Sequence, residues 1–388
     1  MASSENLLHA TPIAPLKLAA LPGCEKLAAL VDEHLIDFRK EELEENPAKK
    51  DIYGFLPDSF LLDCACPRFG SGEAKGLINE SVRGVDLFLL VDVCNYSVTY
   101  KQFGMINHMS PDDHFQNLKR IIAAVNGKAH RINVIMPFLY EGRQHKRAGR
   151  ESLDCAMALQ ELSNIGVSNI VTFDAHDPRV MNAIPIHDFD NFYATYQFLK
   201  ALLRAEPDLQ ISNDHLMVIS PDEGAMSRAV YFSNVLGVDM GMFYKRRDYS
   251  IIIDGKNPIV AHEFLGASVE GKDCLVIDDM IASGGSMFDV ATQLKERGAR
   301  RVFVCTTFGL FTEGLEKFDE YYEKGIINRI ITTNLIYQTP ELLTKGWYAS
   351  ARMQKYMASI IDTLNHDVSI SSIMNNTTKI NAFLQKHR

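Results

Sequence analysis

The chain has 388 residues, of which 46% are apolar and 23% charged, with a formal net charge of -9. That length allows two α/β domains with cores of their own. The mild acidity excludes nucleic-acid binding by phosphate neutralisation as the main activity, and no run reaches the roughly 18 consecutive apolar residues of a membrane span.

The first fifty residues favour helix, with the apolar run Leu27–Val31 followed by a charged run from Arg39 to Lys50. No basic segment leads into an apolar run at the start, so no leader is expected. The seven cysteines include one close pair, Cys64 and Cys66, with no second pair or histidine at zinc-site spacing. Unpaired thiols suit a reducing compartment, and a cytoplasmic protein is expected.

From about Phe60 the pattern changes. Short β-branched runs are expected as strands at Asp86–Val93, Arg131–Phe138, Asn169–Phe173, His215–Ser220, Asp273–Ile277, Arg301–Thr306 and Arg329–Thr333. Helical patterns lie between them at His114–Val125, Glu151–Ile165, Phe192–Arg204, Gly224–Leu236, Ser286–Arg297 and Glu313–Lys324. Continuous apolar strands alternating with helices predict parallel sheets covered on both faces. A boundary is expected near Asp188–Asn191, after a strand-like Ala183–Ile186. The tail from Ala351 begins as an amphipathic helix carrying Met353, Tyr356, Met357, Ile360, Ile361 and Leu364.

One segment combines several chemical signals. The strand at Asp273–Ile277 runs into Asp278-Asp279, then Ala282-Ser283-Gly284-Gly285-Ser286, then a helix. Glycines allow a tight turn close to a ligand. The free N–H groups at a helix start, with the helix dipole, favour a phosphate. Ser283 and Ser286 add hydroxyl donors. The two adjacent carboxylates suit a diol, such as the 2- and 3-hydroxyls of ribose, rather than a phosphate.

This segment resembles the phosphoribosyl-pyrophosphate (PRPP) binding signature of type I phosphoribosyltransferases, and its Asp-Asp-Met form resembles ribose-phosphate pyrophosphokinases (PRPP synthetases) in particular. Five further segments resemble that family in the same order. They are Arg68–Glu73 with Ile78–Gly84, Pro137–Arg147, Phe173–Asp177, Ser220–Gly224 with Arg228-Ala229, and Tyr244–Arg247. The resemblance implies an α/β fold of two doubly wound parallel-sheet domains of the phosphoribosyltransferase kind. It places an N-terminal α/β domain at 57–188 and a C-terminal one at 189–350. Helical extensions are expected at 1–56 and 351–388, where no counterpart is identified.

The implied reaction is transfer of a diphosphate from ATP to the C1 hydroxyl of ribose 5-phosphate, giving PRPP and AMP. The resemblance assigns catalytic cations to Lys245 and Arg247, which alternate in an extended segment and so point the same way. It assigns Phe69, Ser71, Glu73, Arg143, Gln144 and His145 to ATP, and Mg²⁺ to His176 and Asp222. Ribose-phosphate falls to Asp278, Asp279, Ala282, Ser283, Gly284, Gly285 and Ser286. Asp248 to Val269, with Gly255, Asn257, Pro258 and Gly266, has the composition of a mobile lid or hairpin. The family also implies a homo-oligomer of dimers, up to a hexamer, with no nucleic-acid or membrane partner.

The chain departs from the family pattern at two site positions. Ser71 and His145 stand where the family usually has Asp. Extra sequence lies around Asn95–Met109. Ser71 and His145 motivate one alternative, a catalytically silent homologue that binds ligands and regulates a partner; a second alternative, a phosphoribosyltransferase using PRPP and a base, is opposed by the retained ATP-type segments.

Overall fold

Strands this apolar cannot leave a face in water, and the structure covers them on both sides. The computed structural model describes residues 10–247 and 259–386. These divide into two compact units, one of residues 10–193, 334–337 and 352–375, the other of 194–333, 338–351 and 376–386.

The first unit holds strands β1 (Leu16–Ala20), β2 (Leu61–Leu62), β3 (Cys64–Ala65), β4 (Leu77–Ile78), β5 (Asp86–Leu90), β6 (Thr99–Gln102), β7 (Met105–His108), β8 (Arg131–Ile135), β9 (Asn169–Phe173) and β10 (Asp188–Phe192). Six of them form one sheet in the order β10-β9-β8-β5-β1-β2, with every pairing parallel. Every residue of β5 and of β9 is buried. Helix Pro111–Val125 crosses from β7 toward β8. Pro111 opens it, Ser110 and Asp113 form a reciprocal cap, and Asn126 closes it in the left-handed conformation.

The second unit holds β11 (Leu216–Ser220), β12 (Met240–Arg247), β13 (Ile259–Leu265), β14 (Asp273–Ile281), β15 (Arg301–Gly309), β16 (Arg329–Thr333) and β17 (Tyr348–Ala351). They form a seven-stranded sheet in the order β13-β12-β11-β14-β15-β16-β17. All pairings are parallel except β12 with β13.

Several expectations are adjusted. The segment before residue 57 does carry a helix, Glu25–Glu45, but it also supplies β1, which lies between β5 and β2. Leu-Lys-Leu-Ala-Ala is a helix-favouring sequence, and the sheet overrides it. Asp188–Phe192, expected at a boundary, is the edge strand β10, paired with β9. The strand-like Ala183–Ile186 is not a strand. Pro178–Ala183 instead forms a short 3₁₀ turn, with Asp177 capping it through the Arg179 N–H. The tail helix Gln354–Asn365 packs on Glu25–Glu45 inside the first unit.

A buried polar cluster explains that docking. Asp86, fully buried at the start of β5, accepts two hydrogen bonds from Arg131, at 2.9 and 2.8 Å. It accepts others from Asn133 and from Asn365 Nδ2. Asn365 Oδ1 in turn accepts from Arg39 Nη2 at 2.7 Å. Arg39, 1% exposed, also donates to His366 Nε2 at 2.9 Å. Its Nη2 lies 2.9 Å from Asp362 Oδ1, an ion-pair distance without hydrogen-bond alignment. Lys49 pairs with Glu42 at 2.7 Å. Burial pushes Asp362 up, only partly offset by the Arg39 charge. Burial acts on Glu42 too, but His366, Arg39 and Lys49 together hold its carboxyl below the ordinary range.

Removing one member of a buried charge cluster leaves the others uncompensated, at about 3–5 kcal/mol. Arg39→Ala should therefore lower the unfolding free energy of the first unit by that order, read as a denaturation midpoint at lower denaturant. A curve matching the unaltered chain would show that the cluster contributes nothing.

Candidate functional site

Parallel strands send all their carboxyl ends to one edge of a sheet, and the loops there carry the candidate residues. In the second unit the two acids do not lie in a loop after the strand, as the sequence suggests. β14 continues through Asp278 and Asp279 to Ile281, paired with β15 as far as Gly309. The turn is therefore only Ala282-Ser283-Gly284, and helix Gly285–Glu296 follows at once. Leu310 N–H and Thr312 N–H donate to the carbonyls of Ile281 and Ala282 and fix the entry to the turn.

Gly284 is required here. Its φ is +89°, and an added Cβ would lie 2.5 Å from Phe318 Cζ. It precedes the helix without supplying a capping side chain, which leaves an anion the natural cap for the first turn. Ser283 is half-buried, and Gly285 and Ser286 are exposed.

Negative charge concentrates beside this turn. Burial, then the Asp279 charge and also Asp222, pushes the Asp278 carboxyl well above the ordinary range. A cation or a pair of hydroxyl donors would relieve that repulsion. Asp222 follows β11, and its Oδ1 accepts from Gly224 and Ala225 N–H at 2.9 and 3.3 Å, at the start of helix Met226–Leu236. The structure thus brings Asp222 and Asp278 within electrostatic reach.

Lys245 and Arg247 lie on β12, which runs past the end of β11: Ser220 pairs with Met242, and five more residues follow. Lys245 pairs with His262 and Arg247 with Ile259, with a register shift between Arg246 and Arg247. The lid expected over Asp248–Val269 falls partly on residues 248–258, outside the described residues. Its later part contains β13.

In the first unit, Arg68–Ala74 forms a small hairpin-like loop. Phe69 N–H donates to Glu73 O, Gly72 N–H to Phe69 O, and Ser71 Oγ to Glu73 Oε2 at 3.0 Å. Arg68 anchors it, pairing with Asp113 at 2.9 Å and stacking 4.0 Å over the Tyr100 ring. Strands β6 and β7 brace the same loop through Gln102 to Ser71 O, and Phe103 between them through its N–H to Gly70 O. Phe69 is 54% exposed and lines a cleft of about 380 Å³ with Arg68, Gly70, Tyr100 and Lys101.

Arg143, Gln144 and His145 follow β8. A tight turn through Glu141, with φ at +57°, places them. Arg143 is exposed, and Gln144 donates to Ser152 O at 2.8 Å. His176 follows β9, past Asp174 in the left-handed conformation at φ +46°. Few non-glycine residues adopt that geometry, although Asp does so more readily than most. The two loops bring His145 and His176 together, with ring centres 5.3 Å apart. His145 Nε2 is 3.5 Å from Asp177 Oδ2, and Asp177 is gripped by Arg179 through Nε at 2.9 Å. The Asp177–Arg179 pair and the approach of His145 to His176 were not foreseen. Thirty-one positions separate the histidines, and no local pattern reports their contact.

Elsewhere, Glu42, Asp362 and His366 present the one set of three possible metal-ligand atoms close together among the described residues. Arg39 and Lys49 already neutralise it. No helix among the described residues is long and apolar enough to cross a membrane.

Comparison with known proteins gives concordant matches. Residues 16–166 match the model of the N-terminal domain of ribose phosphate pyrophosphokinase. Residues 190–344 match the phosphoribosyl transferase domain. The first match begins inside the segment for which the sequence suggested no counterpart. The chain is 28% identical over 320 residues to a ribose-phosphate pyrophosphokinase of Vibrio parahaemolyticus, covering 81% of this chain and 92% of that one. The same figures for a Shewanella oneidensis enzyme of that name are 28%, 81% and 91%. The crystal structure of phosphoribosylpyrophosphate synthetase from Mycobacterium smegmatis matches with a TM-score of 0.68 at 23% identity, covering 91% of this chain and 99% of that one. That last likeness establishes the fold.

Two outcomes are expected. Gly284→Ala should cost about 1–2 kcal/mol for the left-handed backbone alone, before any shift of Phe318, and unfolding of the second unit measures it. Hydrogen bonds from Arg179, against the opposing effect of burial, pull Asp177 down to about 2. A carboxyl lowered on folding contributes stability above its unfolded value of about 3.9, and that contribution disappears as pH falls through the window from there to the folded value. Arg179→Ala should flatten this part of the stability profile in acid titration.

Proposed function

Because the chain belongs to the ribose-phosphate pyrophosphokinase family and is an enzyme of that type, we propose that it transfers a diphosphate from ATP to the C1 hydroxyl of ribose 5-phosphate. The products are PRPP and AMP. The observation that carries the reading is one chain holding both the phosphate-type turn at Ala282–Ser286 and a first unit matched by the pyrophosphokinase N-terminal model. A phosphoribosyltransferase needs only the former.

In this proposal the helix start at Gly285 and the hydroxyls of Ser283 and Ser286 hold the 5-phosphate. Asp278 and Asp279 accept from the ribose hydroxyls. Asp278 is already pushed up by burial and by its neighbours, so hydroxyl donors there are favoured. Lys245 and Arg247 neutralise charge on the transferred diphosphate, and transfer of this kind asks a protein mainly for positioning and charge neutralisation. Phe69, Ser71, Glu73, Arg143, Gln144 and His145 serve ATP. Phe69 supplies an exposed ring for stacking, and Arg143 an exposed guanidinium for phosphate. Ser71 is engaged with Glu73, so the loop retains a carboxylate beside the position where the family usually has one.

The family reading assigns Mg²⁺ to His176 and to Asp222; each is a donor type that a divalent ion accepts, with other positions left to water and phosphate oxygens. When bound, it would neutralise phosphate charge. Homo-oligomeric assembly in the cytoplasm completes the proposal, and sedimentation checks the assembly.

An assay of AMP and PRPP formation from ATP and ribose 5-phosphate tests the reaction. Lys245→Ala and Arg247→Ala should each lower kcat by at least about a hundredfold with unchanged circular dichroism. Full activity in Lys245→Ala would remove that residue from the mechanism. Binding of ribose 5-phosphate without any AMP would favour the silent homologue instead.

A further inference from the structure

The proposed metal role of His176 treats one imidazole as sufficient. The structure offers a second. We infer that His145 and His176 together form a two-nitrogen site in the first unit, selective for a later first-row divalent cation such as Co²⁺ or Zn²⁺ over Mg²⁺. This inference rests on the metal reading of His176 above and goes beyond it in ligand set and in cation class.

Three observations carry it. First, His145 and His176 follow adjacent parallel strands, β8 and β9, and their rings lie 5.3 Å apart and tilted by 59°. Two imidazoles bound to one tetrahedral ion at ordinary metal–nitrogen distances have ring centres about 5 Å apart. The rings stand near that separation without rearrangement of the strands.

Second, His145 Nδ1 is shut away from solvent and has no hydrogen-bond partner. A buried ring nitrogen without a partner is costly and calls for a reason. Ligation to a cation would satisfy it.

Third, the other ring nitrogen faces a carboxylate. Nε2 is 3.5 Å from Asp177 Oδ2, and Arg179 pins Asp177 in place. A carboxylate on one imidazole nitrogen favours the proton there and leaves a lone pair on the opposite nitrogen. That is the common arrangement of a metal-bound histidine and its outer carboxylate. Asp177 and Arg179 are positioning residues in this scheme and do not contact the ion.

The selectivity follows from the ligands. Carboxylate and water suit Mg²⁺, whereas imidazole suits later divalent metals. Where the family usually has Asp, this chain has His145. The exchange puts a ring nitrogen, in place of a carboxylate oxygen, beside the imidazole of His176. The remaining positions stay open to water or phosphate oxygens.

The test is a Co²⁺ titration of the untagged full chain without substrates, followed by visible absorption, with Mg²⁺ as competitor. The unaltered chain should bind one Co²⁺ at this site, displaced only by a large excess of Mg²⁺. His145→Asp should weaken Co²⁺ binding by about tenfold or more, and His176→Ala should abolish it. His145→Asn, which keeps the size of the side chain, should behave as His145→Asp, and circular dichroism confirms that both fold. Equal Co²⁺ affinity in the unaltered chain and His145→Asn, or retention of the ion by His176→Ala, overturns the inference. AMP formation with Mg²⁺ is measured in parallel. A chain that makes AMP but loses no Co²⁺ on His145→Asn keeps the proposed reaction and refutes the site. A chain that makes no AMP but shows the His145-dependent Co²⁺ site does the reverse.

Discussion

A parallel sheet has one rule that organises this protein: every strand ends on the same edge, and the loops leaving that edge must lie side by side. Each unit obeys it separately, apart from the antiparallel edge strand β13 in the second. In the first, β8 and β9 are neighbours, so the loops with His145 and His176 meet although far apart in sequence. In the second, β11 and β14 are neighbours, so Asp222 and Asp278 interact. Chemistry in either unit depends on strand order before it depends on any side chain.

The rule needs the strands to stay buried, and in the first unit the two ends of the chain share that work. β1 and helix Glu25–Glu45 come from one end, and helix Gln354–Asn365 from the other. Asn365 bonds Asp86 with its amide and Arg39 with its carbonyl oxygen, and so ties both ends to the start of β5. A buried charge cluster of this kind is weak evidence for net stability. Its directional bonds nonetheless suit one docking geometry for the tail helix and penalise others.

Left-handed backbone recurs in the candidate loops. Gly284 takes a left-handed turn that Phe318 leaves no space to fill. Asp174 and Glu141 take left-handed conformations without being glycine, each in a segment leading to a candidate ligand-binding side chain. The loop of Phe69–Glu73 is held differently, by Arg68 on Asp113 and Tyr100 and by the β6–β7 strands. That bracing comes from the segment around Asn95–Met109, which the sequence alone sets apart as extra. It gives those residues a structural task that their composition did not announce.

Much was legible beforehand where the signal was local. Asn169–Phe173 and Arg329–Thr333 are strands at the expected residues, because runs so apolar and β-branched have few other solutions. The Asp-Asp and Ala-Ser-Gly-Gly-Ser segments suggested a ribose-phosphate turn and pointed to the family for the same reason: glycine, acid and hydroxyl at fixed spacing are read without knowing what surrounds them. Other features needed the assembled fold. β1 and β10 have sequences that propensity does not assign to strands, and pairing with β5 and β9 made them so. β14 outran its expected end because β15 continues beside it. The contact of His145 with His176, the repulsion among Asp222, Asp278 and Asp279, and the unpartnered nitrogen of His145 are properties of distance and burial. Sequence by itself determined the residue types and their local geometry; tertiary structure decided which of them meet, because burial and electrostatic coupling act between residues that only strand order brings together.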